Sequence, residues 1–131
     1  MSGERRRILV VEDEPAFAEV LSELLIDEGY SVLQVRDGVT ALNSMAGQKP
    51  LPDLIMCDVM LPVLRGDRVA AEVRRRFPTR RVPIILMSAS ADPRVELRDV
   101  EFLAKPFDAD HLLSHIEELL EPGYRGALAA S

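Results

Sequence analysis

Four short stretches carry the residues that could do chemistry. Glu12, Asp13 and Glu14 follow the apolar run ILVV, Asp58 closes LIMC, Ser88 and Ser90 follow ILM, and Lys105 stands before Pro106. Each has an ordinary use taken alone: acids cap helices, Asp and Ser make turns, and a lysine is usually a solvated charge. Brought together they would be different, because grouped carboxylates repel and need a counter-charge. A hard divalent cation suits oxygen ligands, and Mg2+ takes one or two carboxylates while keeping waters for a phosphoryl oxygen. A carboxylate oxygen of Asp58 could then attack phosphorus in line and form an acyl phosphate. Lys105 would pair with one phosphoryl oxygen, and the Ser88 hydroxyl would donate to another.

The elements between these residues decide whether they meet. Strand-like apolar runs at 8–11, 31–35, 54–57, 84–87 and 101–104 alternate with helical patterns. The run 54–57 is apolar throughout, as a strand buried on both faces requires. Pro15 opens the first helix, which carries Phe17, Val20, Leu21, Leu24 and Leu25 on its expected core face and ends at Gly29. Further helices are expected over about 39–46, 67–77 (stopped by Pro78) and 109–120, the last with Asp108 as N-cap and Leu112, Leu113, Ile116, Leu119 and Leu120 inward. Strict β-α alternation implies a parallel sheet with helices on both faces. Ligands in such sheets bind beyond the carboxyl ends of the strands. That edge is where all four stretches fall.

Composition bounds the alternatives. The chain of 131 residues is the size of one domain, and 47% of it is apolar, so it should fold around one core. No run approaches the roughly 20 apolar residues of a membrane span, and the charged start MSGERRRILVVEDE lacks the apolar core of a secretory signal. The single cysteine, Cys57, fits a reducing cytoplasm and core packing better than a reactive thiol. A net charge of −6 disfavours nonspecific nucleic-acid binding, and the clusters at Arg5–Arg7, Arg74–Arg76 and Arg80–Arg81 have no interleaved aromatics and read as solvated faces.

The motifs ILVVEDE (8–14), DVMLP with Gly66 (58–66), ILMSA and FLAKPF, in this order, resemble the receiver domain of two-component response regulators. The resemblance covers about residues 6–120. It implies a flavodoxin-like (βα)5 fold, a doubly wound parallel five-stranded sheet in the order 2-1-3-4-5. It also implies that a histidine kinase or histidine phosphotransfer protein donates a phosphoryl group to Asp58, switching a surface that binds a downstream protein target. Asp13 and Asp58 would bind Mg2+ directly with the Met60 backbone carbonyl, and Glu12 would act through water. Ser88 and Phe102 take the switch positions, Met60 and Ser90 the two positions that tune hydrolysis, and Lys105–Pro106 a cis peptide. The expected protein is no metabolic enzyme but a phosphoacceptor with Mg2+-dependent self-phosphorylation and autodephosphorylation. It is expected as a cytoplasmic monomer or weak dimer, without direct contact to nucleic acid or membrane.

The sequence departs from the family at two places. Arg65 stands where an acid usually precedes the glycine, with little expected effect on chemistry. Only the 16 positions 89–104 separate Ser88 from Lys105, which leaves room for a shortened fourth helix of about two turns and argues against the usual symmetric dimer. Residues 1–122 are expected to form the receiver and 123–131 a short tail with no output domain. His111 and His115 have the i,i+4 spacing of a metal pair but read as surface residues. Two rival readings remain at this point: a pseudo-receiver scaffold that is never phosphorylated, and a haloacid dehalogenase-type phosphatase. The second generally wants an acid two residues past its nucleophile, where Met60 stands.

Overall fold

The computed structural model describes residues 5–47, 51–78, 81–89 and 100–121. Five parallel strands, β1 (Arg7–Val11), β2 (Ser31–Val35), β3 (Leu54–Asp58), β4 (Ile84–Ser88) and β5 (Val100–Ala104), form one sheet in the order β2-β1-β3-β4-β5. Four helices are seen among the described residues: α1 (Pro15–Asp27), α2 (Gly38–Gly47), α3 (Gly66–Arg76) and α4 (Ala109–Leu119). The segment expected to hold the shortened helix lies outside the described residues, as do Ser90 and the tail.

Side chains alternate across a strand, so one sheet supplies two cores. Leu9, Val11, Ile55, Cys57, Ile84 and Leu86 face one way, onto Ala41, Leu42 and Met45 of α2 and Val69, Ala70 and Val73 of α3. Ile8, Val10, Leu54, Met56, Ile85 and Met87 face the other, onto Leu21 and Leu25 of α1 and Leu112, Ile116 and Leu119 of α4. Each such Leu, Ile or Met, fully buried, contributes about 1.5–3 kcal/mol. All five residues of β3 and of β4 are buried, which fixes their register firmly, since a one-residue slip would exchange the two cores.

Helix ends follow the local chemistry in part. The Asp108 side chain accepts from the His111 N–H at 3.1 Å and caps α4, as its residue type predicts. Glu14 takes the N-cap position of α1 without a side-chain cap, so its carboxylate does not serve the helix end. Gly29 ends the turn after α1 at φ 100°, a conformation glycine reaches without Cβ strain.

One expectation fails. Val20 is 66% exposed, while Ala18, Leu21, Ser22 and Leu25 form the buried face of α1. Val20 lies about 200° around the helix from Ala18. The small Ala18 and Ser22 let α1 approach the sheet, and that rotates the helix away from the stripe drawn through its largest side chains.

Candidate functional site: an acidic recess at the sheet edge

Register brings the chemical residues together. Val11 pairs with Cys57 and Asp58 with Met87, while Ser88 pairs with Ala104. Glu12, Asp58, Ser88 and Lys105 therefore end neighbouring strands at one edge, although 93 positions separate Glu12 from Lys105. Carboxylate oxygens of Glu12, Asp13 and Asp58 all lie within 4.8 Å of one another. Glu12 and Asp58 are buried, whereas Asp13 faces solvent.

Lys105 ties the cluster. Its Nζ donates to Glu12 Oε1 at 3.0 Å and to Asp58 Oδ2 at 3.2 Å. The same ammonium sits 4.1 Å from the centre of the Phe17 ring, and that ring meets Phe107 edge-on at 5.8 Å. The remaining carboxylate oxygens accept backbone N–H groups: Glu12 Oε2 from Glu14 at 3.1 Å, and Asp58 Oδ1 from Met60 at 3.1 Å. The Lys105–Pro106 peptide is cis, and the Lys105 N–H donates to the Ser88 carbonyl at 2.8 Å.

The electrostatics show incomplete neutralisation. Burial raises the Glu12 carboxyl above its ordinary value most strongly; Lys105 pulls it back, the Asp58 charge raises it again, and the net shift is upward. Burial pulls the Lys105 ammonium down, but its bonds to Glu12 and Asp58 outweigh this and raise it overall. One ammonium among three carboxylates leaves two formal negative charges, the complement of a divalent cation. Burial also pushes the Cys57 thiol well above its ordinary value, so it belongs to the core and not to the reacting set.

The loop from β3 to α3 is built tightly around Asp58. The Gly66 N–H donates to the Val59 carbonyl at 2.8 Å, and a Cβ at Gly66 would overlap the Asp58 carbonyl. Val63 adopts φ 68°, while the Leu64 N–H reaches back to the Pro62 carbonyl at 2.7 Å. Asp67 is buried and accepts both Arg65 Nε at 3.2 Å and Arg65 Nη2 at 3.1 Å.

Three participants were not singled out from sequence for the parts they take. Phe17 read as a core residue only, although a helix that opens after a strand's C-terminal end must present its first turn to the site. Asp67 read only as the start of the third helix, and Arg65 as having little effect on chemistry; their i,i+2 spacing across a helix start was the available signal. Of the residues expected at the site, Met60 and Phe102 are both exposed, Phe102 on the edge strand. His115 is not simply solvated, since its Nε2 lies 3.2 Å from Glu101 Oε1 on β5. Arg74 likewise does more than face solvent: it donates to the Val82 carbonyl at 2.8 Å.

The family model of the response regulator receiver domain matches residues 8–117. The chain belongs to that family: it is a receiver domain of two-component response regulators. Among curated relatives it is 34% identical over 119 residues to the DNA-binding dual master transcriptional regulator RpaA of Synechocystis, covering 87% of this chain and 48% of that protein. It is 31% identical to the phosphate regulon transcriptional regulatory protein PhoB of Escherichia coli, covering 88% and 52%. The chain thus spans about half the length of these relatives. A receiver domain of a sensor histidine kinase from Pseudomonas aeruginosa, with magnesium in its active-site cleft, superposes at TM-score 0.78 with 33% identity, over 89% of this chain and 98% of that one. Response regulator TrrA of Thermotoga maritima, in complex with Mg2+-BeF, gives 0.78 and 34% over 88% and 99%. Receiver domains work with histidine kinases and downstream effectors. No helix among the described residues is long and apolar enough to cross a membrane.

Proposed function

We propose that Asp58 is the phosphoacceptor of this receiver and that Mg2+ is its cofactor. The observation that carries this reading is Lys105 bonded to both Glu12 and Asp58 beside Asp13, a recess with two negative charges in excess. Glu12, Asp13 and Asp58 offer carboxylate oxygens, which fits a hard divalent ion. Asp13, Asp58 and the Met60 carbonyl would hold the ion directly, and Glu12 would do so through water. When bound, the ion neutralises charge on the incoming phosphoryl oxygens.

The protein's own groups do the rest. An Asp58 oxygen attacks the phosphorus of a phosphohistidine on a kinase or phosphotransfer protein. The P–N bond breaks, and the donor imidazole leaves with its electron pair and takes up a proton. The Lys105 ammonium moves from the free carboxylate to a phosphoryl oxygen, and the Ser88 hydroxyl donates to another. Drawing Ser88 inward vacates space into which the exposed Phe102 ring turns, altering the surface offered to a protein target. Hydrolysis of the acyl phosphate returns the domain to rest, with no turnover of outside substrates. With Met60 and Ser90 offering no acid or carboxamide to orient water, the phosphoryl group outlives a fast chemotaxis-type signal; loss within seconds without a phosphatase would contradict this.

The domain works in the cytoplasm as a monomer or weak dimer through protein contacts, with residues 1–122 as the functional unit. The test is to add beryllofluoride and Mg2+ while recording amide resonances. Lys105, Ser88 and Phe102 should shift in the wild type and stay still in Asp58→Asn. Steady turnover of phosphomonoesters would favour a phosphatase instead, and silence in both proteins a scaffold.

A further inference from the structure

Arg65 spans two neighbours of unlike chemistry. Two of its nitrogens are fixed on the carboxylate of Asp67, and the third, Nη1, lies 3.3 Å from the sulfur of Met60. Asp67 is a firm anchor: it is 2% exposed and also accepts the Arg68 N–H at 2.9 Å. Met60 is the opposite. Its main chain is tied to Asp58, but the residue is 60% exposed, and Arg65 meets its far end. A thioether is a weak acceptor and would not hold a mobile guanidinium, but this one is already immobilised.

We propose that Arg65 is a positioning residue that holds the Met60 side chain back from Asp58, and so keeps the carboxylate open to water and donor. Released, Met60 has three rotatable bonds and apolar surface to bury, and it would fold over the reacting oxygen. The step affected is hydrolysis: a water oxygen bonds to phosphorus, the bond from phosphorus to Asp58 breaks, and Asp58 leaves as carboxylate with inorganic phosphate released. This inference rests on Asp58 being the phosphoacceptor.

The test uses Arg65→Lys, which keeps a cation for the buried Asp67 but lacks the fork that serves two partners. The full chain is phosphorylated with acetyl phosphate and Mg2+, desalted, and followed by intact mass. Arg65→Lys should slow hydrolysis by about threefold or more, and in a Met60→Ala background the same change should have no effect. An equal effect in both backgrounds, or none in either, overturns the proposal. The ε-methyl resonance of Met60, recorded without any phosphodonor, tests the contact separately: it should move in Arg65→Lys, and an unmoved signal also overturns the proposal. A wild type that takes no phosphoryl group defeats the phosphoacceptor reading, and the methyl signal then decides on the contact alone.

Discussion

Replacing Lys105 by Met removes the ammonium between Glu12 and Asp58 while keeping the length and apolar bulk of the side chain. The wild-type bonds are 3.0 and 3.2 Å, with the Glu12 side chain 1% and the Lys105 side chain 20% exposed. Breaking a fully buried ion pair costs about 3–5 kcal/mol; discounted for the exposure of Lys105, the expected loss is about 2 kcal/mol, or about 8 °C in Tm for a chain of this size. The loss should depend on pH. Without Lys105 the Glu12 carboxyl, already raised by burial, rises further. An acid raised in the folded state holds a proton the unfolded chain has released, so stability falls as pH climbs from 4.5 through the folded value. The deficit should therefore be largest near pH 8 and shrink towards pH 4.5. Urea unfolding at several pH values, without Mg2+, measures it. A variant as stable as wild type at pH 8, or a deficit unchanged by pH, would refute the reasoning.

Val63, 95% exposed at φ 68°, packs on little and strains its backbone, so Val63→Gly should gain about 0.5–1 kcal/mol in urea titration despite the added chain entropy. Gly66→Ala should do the reverse, losing about 2 kcal/mol or more because its Cβ meets backbone of Asp58, which cannot rotate aside. Asp37 accepts the Thr40 N–H at 2.7 Å and the Thr40 hydroxyl at 2.9 Å, which hold its carboxyl below its ordinary 3.8. Its contribution is thus fully present above pH 3.8 and lost as pH falls through the lowered value; Asp37→Ala should lower Tm at pH 7, by an amount that shrinks as pH falls below 3.8.

The centre of the sheet was legible because β1, β3 and β4 are buried almost throughout and so appear as unbroken apolar runs, whereas the edge strands β2 and β5 are only partly buried and were placed by β-α alternation. Each observed strand begins or ends within one residue of its run. The gathering of Glu12, Asp58, Ser88 and Lys105 followed from parallel topology alone, since every strand then delivers its last residue to the same edge. What could not be read was rotation and reach. The face of α1 turned on Ala18 and Ser22, whose small size carries no hydrophobic signal, and so Val20 was placed inward. The reach of Arg65 back to Met60 depends on the loop folding over Asp58, which the close packing of Gly66 reveals. Glu12 is buried by the strands beside it, a tertiary effect invisible in a run of three acids.

The most direct test of the central claim is intact-mass measurement after incubation with acetyl phosphate and Mg2+. One phosphoryl group should be added to the wild type, be removed by hydroxylamine as an acyl phosphate must be, and be missing from Asp58→Asn. A phosphoryl group that survives hydroxylamine, or that persists in Asp58→Asn, would contradict the account.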